Sequence, residues 1–318
     1  MLFPALPDRR DILRAGLALA AAPTVVAGAN ARELGGPQGP GHHRFKLGAS
    51  EITILSDGHM LVPPRVLAGN IPDAALQGFL DERRFTGDRV SFNLNIACVR
   101  TGAGITLIDA GAGGTWEPTA GRLSDSLEAA GIKPETVGTV ILTHAHPDHL
   151  WGLIDDLDGS LRFPKARYLI TAREHAFWTA EAGKLQGPIE GMTAGARRVF
   201  KAIESRLARV KPGAEIVPGI VALDTSGHTP GHISLLLGSG AERLIVTADA
   251  IQNAHVSLAH PKWQPRADMD GDKGAASRHR LIDMAAADKL MVLGYHLPFP
   301  GLGRIERKGT AFAWVPAS

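Results

Sequence analysis

Cysteine is nearly absent from this sequence, which limits how the fold can be held together. The 318 residues include one cysteine, Cys98, so no disulfide can form within the chain. Zinc sites built mainly on cysteine are excluded as well, because they take several thiolate ligands. Cys98 lies in the apolar run 94–99, where burial is expected. The hydrophobic core must therefore stabilise the fold without disulfides.

An excess of charge of either sign is also missing. The chain carries 34 Lys and Arg against 32 Asp and Glu, interspersed along its length, for a formal net charge of +2. Domains that bind nucleic acid carry a basic patch or stripe, so no nucleic-acid partner is expected. No apolar run approaches the roughly 20 residues that cross a bilayer, so no membrane span is expected either. A hydrophobic content of 44% is typical of a globular domain.

The N-terminal segment differs in kind from the rest of the chain. Arg9 and Arg10 precede an apolar, Ala-rich run over residues 15–28, and small residues follow it. This order resembles a twin-arginine export signal and predicts a signal peptide over residues 1–31, with a periplasmic or secreted product. An ordinary amphipathic helix is the alternative for this segment.

After the signal, residues 32–44 are rich in Gly and Pro and are predicted to form a linker or N-terminal arm, which leaves 45–318 as the folded domain. Strand-like runs are found at 51–55, 93–100, 105–108, 137–142, 167–171, 216–225, 233–237, 244–247 and 290–293, with a hairpin at 304–315. Helical patterns are found at 123–130, 172–181, 194–210 and 275–287. The chain thus shows a group of strands followed by helices, and this order occurs twice. It predicts an α/β (α+β) fold in which helices cover two mixed sheets, a four-layer αββα sandwich.

A cluster of metal-binding residue types follows the predicted strand 137–142. His144, His146, Asp148 and His149 fall within six residues of one another. Side chains two apart in an extended segment point the same way, so the first two histidines can present nitrogens to one ion. Asp148 and His149 come after the turn at Pro147 and project to a neighbouring position, where a second ion can lie. One loop therefore supplies ligands for two metal ions.

Four ligands do not complete two sites, because an open catalytic site takes about three protein ligands per metal. Further candidates follow three later strands: His228 and His232 in segment 226–232, then Asp249, then His296. Strand ends are where α/β architectures place their ligands. Imidazole nitrogen and carboxylate oxygen suit zinc, and also manganese, iron or cobalt.

These segments together resemble the metallo-β-lactamase superfamily, whose five motifs are matched in order by Asp109, segment 144–149, His228, Asp249 and His296. The resemblance implies two divalent ions, zinc first, and two sets of ligands with a bridge. One set is His144, His146 and His228, the other is Asp148, His149 and His296, and the bridge is Asp249. Asp109 is then expected to orient the ligand loop from behind. His232 is expected to orient Asp249 or the substrate, or to pack beneath the loop.

Two ions roughly 3.5–4 Å apart can share a hydroxide, since each lowers the pKa of bound water toward about 7. This bridging hydroxide is the expected nucleophile, so no serine or cysteine nucleophile is required. Asp148 and Asp249 are the predicted catalytic residues, because both can position the hydroxide. Asp249 is also expected to carry a proton to the leaving group. The predicted reaction is hydrolysis of an ester-like bond.

The wider pattern is similar to one branch, the methyl-parathion-hydrolase-like proteins near the quorum-quenching lactonases. Segments 45–58, 118–123 and 296–303 carry this similarity. It implies a homodimer acting on a small-molecule lactone, aryl ester or phosphotriester, in a pocket walled by aromatics. The matching aromatics are Trp116 and Trp178, and for Trp178 packing against the sheet is the alternative. Because segment 186–192 has no aromatic residue, lactones and aryl esters are favoured over phosphotriesters.

Other functions remain open on the same ligands. A glyoxalase-II-like thioesterase would want a basic clamp, for which Arg304, Arg307 and Lys308 are candidates, but the export signal argues against a cytosolic thiol substrate. A β-lactamase is a further alternative. A non-catalytic metal-binding scaffold is the alternative of another class, and the complete ligand set argues against it.

Overall fold

The structure is a computed structural model that describes residues 41–180, 188–240 and 242–317. The predicted signal peptide and most of the predicted linker lie outside the described residues. The first strand, β1 (His42–Leu47), begins before residue 45, because its backbone pairs antiparallel with β2 (Ser50–Val62) from His42 onward. No helix within the described ranges has the length and apolar character needed to span a membrane.

Among the described residues, the first sheet contains seven strands that lie in chain order. After β1 and β2 come β3 (Val90–Thr101), β4 (Gly104–Ile108), β5 (Val137–Ile141), β6 (Arg167–Thr171) and β7 (Leu207–Val210). The strands from β1 to β4 are antiparallel, and those from β4 to β7 are parallel. The sheet is therefore mixed, with its parallel half next to the histidine motif.

The part of the chain that the structure describes also contributes seven strands to the second sheet, in the order β14-β13-β12-β11-β10-β9-β8. Their bounds are β8 (Glu215–Val217), β9 (Ile220–Asp224), β10 (Ile233–Ser239), β11 (Glu242–Ala248), β12 (Met291–Gly294), β13 (Leu302–Lys308) and β14 (Ala311–Pro316). The pair β11–β12 is parallel and the others are antiparallel.

Helices connect and cover these strands. The α-helices are α1 (Asp73–Glu82), α2 (Leu123–Ala129), α3 (Pro147–Leu150), α4 (Ala172–Thr179), α5 (Pro188–Ile203), α6 (Val256–Ala259) and α7 (Gly271–Ala287). Short 3-10 helices lie at Pro64–Leu67, Pro134–Thr136, Trp151–Leu153 and Glu204–Arg206.

The two sheets pack face to face over a shared core. Alternate residues of a strand point to opposite faces, so Ala97 joins the inter-sheet cluster while its neighbour Ile96 faces the helices. Leu127 of α2 and Phe200 of α5 cover the outer face of the first sheet. Ile282 of α7 does the same for the second sheet. The predicted mixed α/β fold of two sheets with outer helices is confirmed, and Cys98 is buried as expected.

One predicted element was wrong at both ends. The helix expected over 194–210 begins earlier, at Pro188, and ends at Ile203. After a 3-10 turn the chain continues as β7, in which Leu207 pairs with Tyr168 of β6. A short apolar run does not distinguish helix from strand by its spacing. Hydrogen bonds to the backbone of β6 make this segment a strand. A local sequence pattern does not show such a distant partner.

Candidate metal centre

The predicted ligands lie in loops that follow β5, β9, β11 and β12, and the fold brings these loops together. Pro147 occupies the first turn of α3, where its missing N–H costs nothing, so the helix starts directly after His146. Ala248, just before Asp249, has a φ of 45°, and Asp109 has a φ of 62°. Non-glycine residues rarely adopt this left-handed conformation, and such strain concentrates at functional sites.

The first ligand group consists of His144, His146, His228 and Asp249, whose ligand atoms lie within 4.8 Å of one another. His146 Nδ1 is 3.0 Å from His144 Nε2 and 2.9 Å from His228 Nε2. Asp249 Oδ2 is 3.2 Å from His228 Nε2. The histidine nitrogens therefore converge on one point, with His146 partly exposed and the other three residues buried.

The second group consists of Asp148, His149 and His296, all buried and equally close-set. His149 Nε2 lies 3.3 Å from Asp148 Oδ2. Asp249 reaches this group too, since its Oδ1 is 3.0 Å from His149 Nε2 and its Oδ2 is 3.1 Å from His296 Nε2. Asp249 thus contacts both groups, as the resemblance implied.

Outer hydrogen bonds fix which nitrogen of each ring carries the proton. Nδ1 of His149 lies 2.8 Å from Asp109 Oδ2, and Nδ1 of His228 lies 3.0 Å from Asp268 Oδ1. Nδ1 of His296 lies 3.0 Å from the carbonyl oxygen of Asn93. These oxygens only accept, so each Nδ1 donates, which leaves Nε2 as the nitrogen that can bind an ion.

Asp109 also supports His144, through Thr143. Thr143 donates from its backbone N–H and its hydroxyl to the two oxygens of Asp109, both at 2.8 Å. The same hydroxyl oxygen lies 3.1 Å from His144 Nδ1, so it accepts a hydrogen bond from that ring. One buried carboxylate therefore orients a histidine of each group.

The residues present fit two divalent ions. Asp148 Oδ2, His149 Nε2 and Asp249 Oδ1 are buried and have no hydrogen-bond partner among the described residues. Such atoms are costly to bury unpaired, and all three face the ligand cluster. Nitrogen and carboxylate oxygen donors at this spacing are the set that zinc, manganese, iron or cobalt accepts.

Burial and charge set the protonation of the histidines in opposite directions. Burial lowers the pKa of His146 to about 3 and holds the pKa of His144 well below its usual value, which keeps both rings neutral. Burial also acts to lower the pKa of His149, but Asp148, Asp249 and Asp109 together raise it well above its usual value. These carboxylates therefore favour a positive charge beside His149, carried by a proton on its ring or by a bound cation.

A cavity of about 190 Å³ opens onto this centre. Its floor includes His146, Asp148, His228, Asp249 and His296. Much of its wall is apolar and consists of Met60, Val62, Val66, Phe92, Trp116, Met192 and Ala267. A substrate in this cavity would place its reactive bond over the ligand groups and its apolar part against the wall.

Comparison with known proteins decides the family. Residues 92–296 match the sequence profile of the metallo-beta-lactamase superfamily. The chain belongs to the metallo-β-lactamase superfamily. The predicted family is therefore confirmed.

Solved metallo-β-lactamase-fold structures extend the match to most of the chain. AidC, a dizinc quorum-quenching lactonase in complex with a product, is 30% identical, with a TM-score of 0.82 over 88% of this chain and 98% of AidC. AbOPH, described as a hydrolase in the beta lactamase superfamily, is 28% identical, with a TM-score of 0.82 over 88% of this chain and 99% of AbOPH. These neighbours confirm the lactonase-like branch.

Curated relatives of this metallo-β-lactamase-superfamily chain are more distant. An uncharacterized Bacillus subtilis (strain 168) protein, YobT, is 27% identical over 165 residues, which are 51% of this chain and 63% of YobT. An N-acyl homoserine lactonase of Bacillus sp. is 26% identical over 176 residues, 55% of this chain and 62% of that protein. The matches thus span less than two thirds of either relative.

The remaining predicted site residues, His232, Trp116 and Trp178, differ in whether they line the cavity. His232 is buried and accepts a hydrogen bond from the backbone N–H of Asp249 at 3.1 Å, so it orients Asp249. Trp116 lines the cavity and packs edge-on against Trp151, with ring centroids 5.3 Å apart. Trp178 is fully buried behind His146, at 5.5 Å between ring centroids, and is not part of the cavity wall. The packing alternative describes Trp178 better than pocket lining.

Glu174 has four side-chain hydrogen bonds at the site, although the sequence did not single it out. Its Oε1 accepts hydrogen bonds from Ala145 N at 3.0 Å and from Trp178 Nε1 at 2.6 Å. Its Oε2 accepts from the hydroxyl of Thr229 at 2.7 Å and from Gly231 N at 2.8 Å. This carboxylate ties the loop of His144 and His146 to the loop of His228. Nothing in its local sequence distinguishes it from a surface glutamate of a helix.

Tyr295 and Gln252 were also missed. The Tyr295 ring stacks on His149 at 3.9 Å, and its hydroxyl donates to the backbone oxygen of Asp148 at 2.6 Å. Gln252 lines the cavity, and its Oε1 is buried with no partner among the described side chains and backbone. Position offered the only signal, since each lies within three residues of a predicted ligand.

Proposed function

We propose that this chain is a dinuclear-metal hydrolase that cleaves lactones, with aryl esters as weaker substrates. The observation that carries the proposal is the placement of Asp249, whose two carboxylate oxygens face two ligand groups at the floor of an apolar cavity.

The ligand groups would hold one ion each, with Asp249 shared between them. When bound, the two ions supply Lewis acidity for the substrate carbonyl and lower the pKa of water in the site. Asp148 Oδ2 and Asp249 Oδ1, both buried and free of hydrogen bonds to the described residues, would orient the attacking water, and Asp249 would take up its proton. Asp249 then delivers a proton to the leaving oxygen, which completes hydrolysis of the ester.

The cavity wall favours a neutral substrate with an apolar part. Of the described residues that line the cavity, none is a lysine or an arginine, and Glu117 adds an acidic group. The carboxylates of a β-lactam or of a glutathione thioester would find no cationic partner in this wall. An acyl chain, in contrast, can pack against flexible side chains such as Met60 and Met192.

The basic residues considered for a thioesterase clamp lie elsewhere. Arg307 pairs with Asp283 of α7 at 2.6 Å on an exposed surface. Arg304 donates to the backbone oxygen of Lys289, and Lys308 pairs with Glu306. All three belong to β13 and none lines the cavity, so a glyoxalase-II-like function has less support than a lactonase function.

Export and self-association are part of the same proposal. The Arg9-Arg10 pair followed by an apolar run supports transport through a twin-arginine route to the periplasm or beyond. Replacing both arginines with lysine should retain the protein in the cytoplasm, as cell fractionation would show. Light scattering on the purified protein tests the homodimer; a monomer mass at micromolar concentration would contradict it.

The experiment that tests the function combines metal analysis with a substrate panel. We expect about two ions per chain, and kcat/KM values that fall from γ-lactones to p-nitrophenyl esters to phosphotriesters. Nitrocefin should not be hydrolysed. Protein without metal and without turnover on any of these would overturn the proposal and favour a scaffold.

A further inference from the structure

A buried ion pair lies directly behind His228. The side chains of Asp268 and Arg278 are 0% and 1% exposed, and Arg278 Nη2 lies 2.6 Å from Asp268 Oδ2. The other oxygen of Asp268 accepts the hydrogen bond from His228 Nδ1 at 3.0 Å. Arg278 therefore reaches a predicted metal ligand through one intermediate carboxylate.

The same guanidinium contacts a second ligand loop. Arg278 Nε donates to the backbone oxygen of Ala250 at 2.9 Å, and Ala250 directly follows Asp249. Its Nη1 donates to the backbone oxygens of Pro261 at 3.0 Å and Trp263 at 3.1 Å. One buried side chain thus joins the loops that carry His228 and Asp249.

The segment around this ion pair is held firmly against the His228 loop. Met269 N donates to the backbone oxygen of His228 at 3.0 Å, and Asp270 N donates to that of Gly227 at 2.9 Å. Gly227 has a φ of 132°, and a Cβ there would lie 2.1 Å from the backbone N of Gly274 in α7. The loop can approach α7 this closely because residue 227 is glycine.

We propose that Arg278 is a positioning residue for the metal centre. Acting through Asp268 and through the Ala250 carbonyl, it fixes His228 and Asp249 relative to each other and so raises the affinity of the first ligand group for its ion. This inference rests on the dinuclear site of the proposed function. Stability is a weaker explanation of the pair, because replacing a buried ion pair by apolar residues is often neutral or stabilising.

Arginine suits this position and lysine does not. Its planar guanidinium offers five N–H donors in fixed directions, and four acceptors surround it here. A lysine could keep the charge near Asp268 but could not also hold the Ala250 carbonyl. We therefore expect Arg278→Lys to fold but to bind metal more weakly than the wild type.

The test uses Arg278→Met, Arg278→Lys, Asp268→Asn and the double variant Arg278→Met/Asp268→Asn. Zinc affinity is measured by competition with a chelator, and ligand geometry from the visible absorption of the cobalt(II) form. Partners that orient metal ligands typically contribute 10–100-fold in affinity, so we expect losses of about that size in the single variants. The double variant should lose less than the sum of the two single losses, because Arg278 and Asp268 share the route through His228, while Arg278 alone also holds the Ala250 carbonyl.

Ile282→Ala is the matched control. Ile282 is a buried core residue of the same helix, so its truncation lowers stability while leaving zinc affinity and the cobalt spectrum as in the wild type. Unchanged affinity in folded Arg278→Met would overturn the inference, as would additive losses in the double variant. If Arg278→Met does not fold, Arg278→Lys decides by the same criterion. A wild type that binds two ions but cleaves no ester would refute the proposed function and leave this inference standing.

Discussion

Asp249 Oδ1 lies 3.0 Å from Nε2 of His149, and its Oδ2 lies 3.2 Å from Nε2 of His228. The two histidines belong to different ligand groups. A single carboxylate therefore connects the two metal positions, so its removal should be felt at both.

Asp249→Ala should lower the metal content from about two ions per chain and abolish turnover, because each ion loses a ligand. Inductively coupled plasma analysis of the purified protein measures the first effect. His175→Ala is the control, since His175 lies on α4 beside Glu204 and Arg209, away from the ligands. Wild-type rates in Asp249→Ala would refute the assignment of Asp249 as the bridge.

Gln252 should discriminate between substrates by a hydrogen bond. Its Nε2 lies 3.4 Å from Asp249 Oδ2, its amide oxygen has no hydrogen-bond partner among the described residues, and the residue lines the cavity over the ligand groups. We expect Gln252→Leu to lower kcat/KM about fivefold to tenfold for a lactone carrying an amide, relative to the same lactone without it. Met192→Leu, an apolar change in the same wall, should leave that ratio unchanged.

Glu174→Gln should destabilise the protein, because an amide N–H₂ would replace an oxygen that accepts two hydrogen bonds. Leaving buried donors unpaired costs about 1–3 kcal/mol of unfolding free energy. Urea denaturation measures this loss, with the exposed Glu204→Gln as the control. Equal midpoints for the two variants would show that Glu174 does not tie the ligand loops together.

Asp57 should make stability depend on pH. Burial raises its pKa to about 7, although Ala112 N and Leu123 N donate to its carboxylate. Since the folded chain then holds the proton more tightly than the unfolded chain, this residue's contribution to stability is present below pH 4 and is lost as the pH rises to about 7. Asp57→Asn lacks this titration.

The measurement is the difference in unfolding free energy between Asp57→Asn and wild type across that pH range. As the pH rises, the variant should become more stable relative to the wild type by at most ~4 kcal/mol. A difference that stays constant from pH 4 to pH 7 would contradict the raised pKa of Asp57.

The candidate ligands could be found in the sequence because each follows a strand-like run. His144 and His146 are two apart after a strand, and Asp249 follows an apolar run that ends in a turn. Their supporting partners have no such signature. Asp268 is 40 residues from His228, and Glu174 is 29 from Ala145, so only the folded chain pairs them.

The difference between local and distant partners also explains why β7 was assigned to a helix. Strands with strong apolar patterns were found from sequence, whereas β7 depends on hydrogen bonds to β6 and was assigned to the preceding helix. Trp178 matched a pocket position in order along the chain, but its indole N–H is committed to buried Glu174. A long-range strand pairing decides the first case, and the burial of Trp178 behind His146 decides the second.

The partial exposure of His146 bears on how metal enters and leaves. The other six candidate ligands are buried, although four of them line the same cavity as His146. Ions bound as proposed would therefore exchange with solvent through the cavity, and a molecule that fills the cavity would block that route. The loss of metal to a chelator should accordingly be slower when a product fills the cavity. Turnover would then itself help the protein to retain its metal ions.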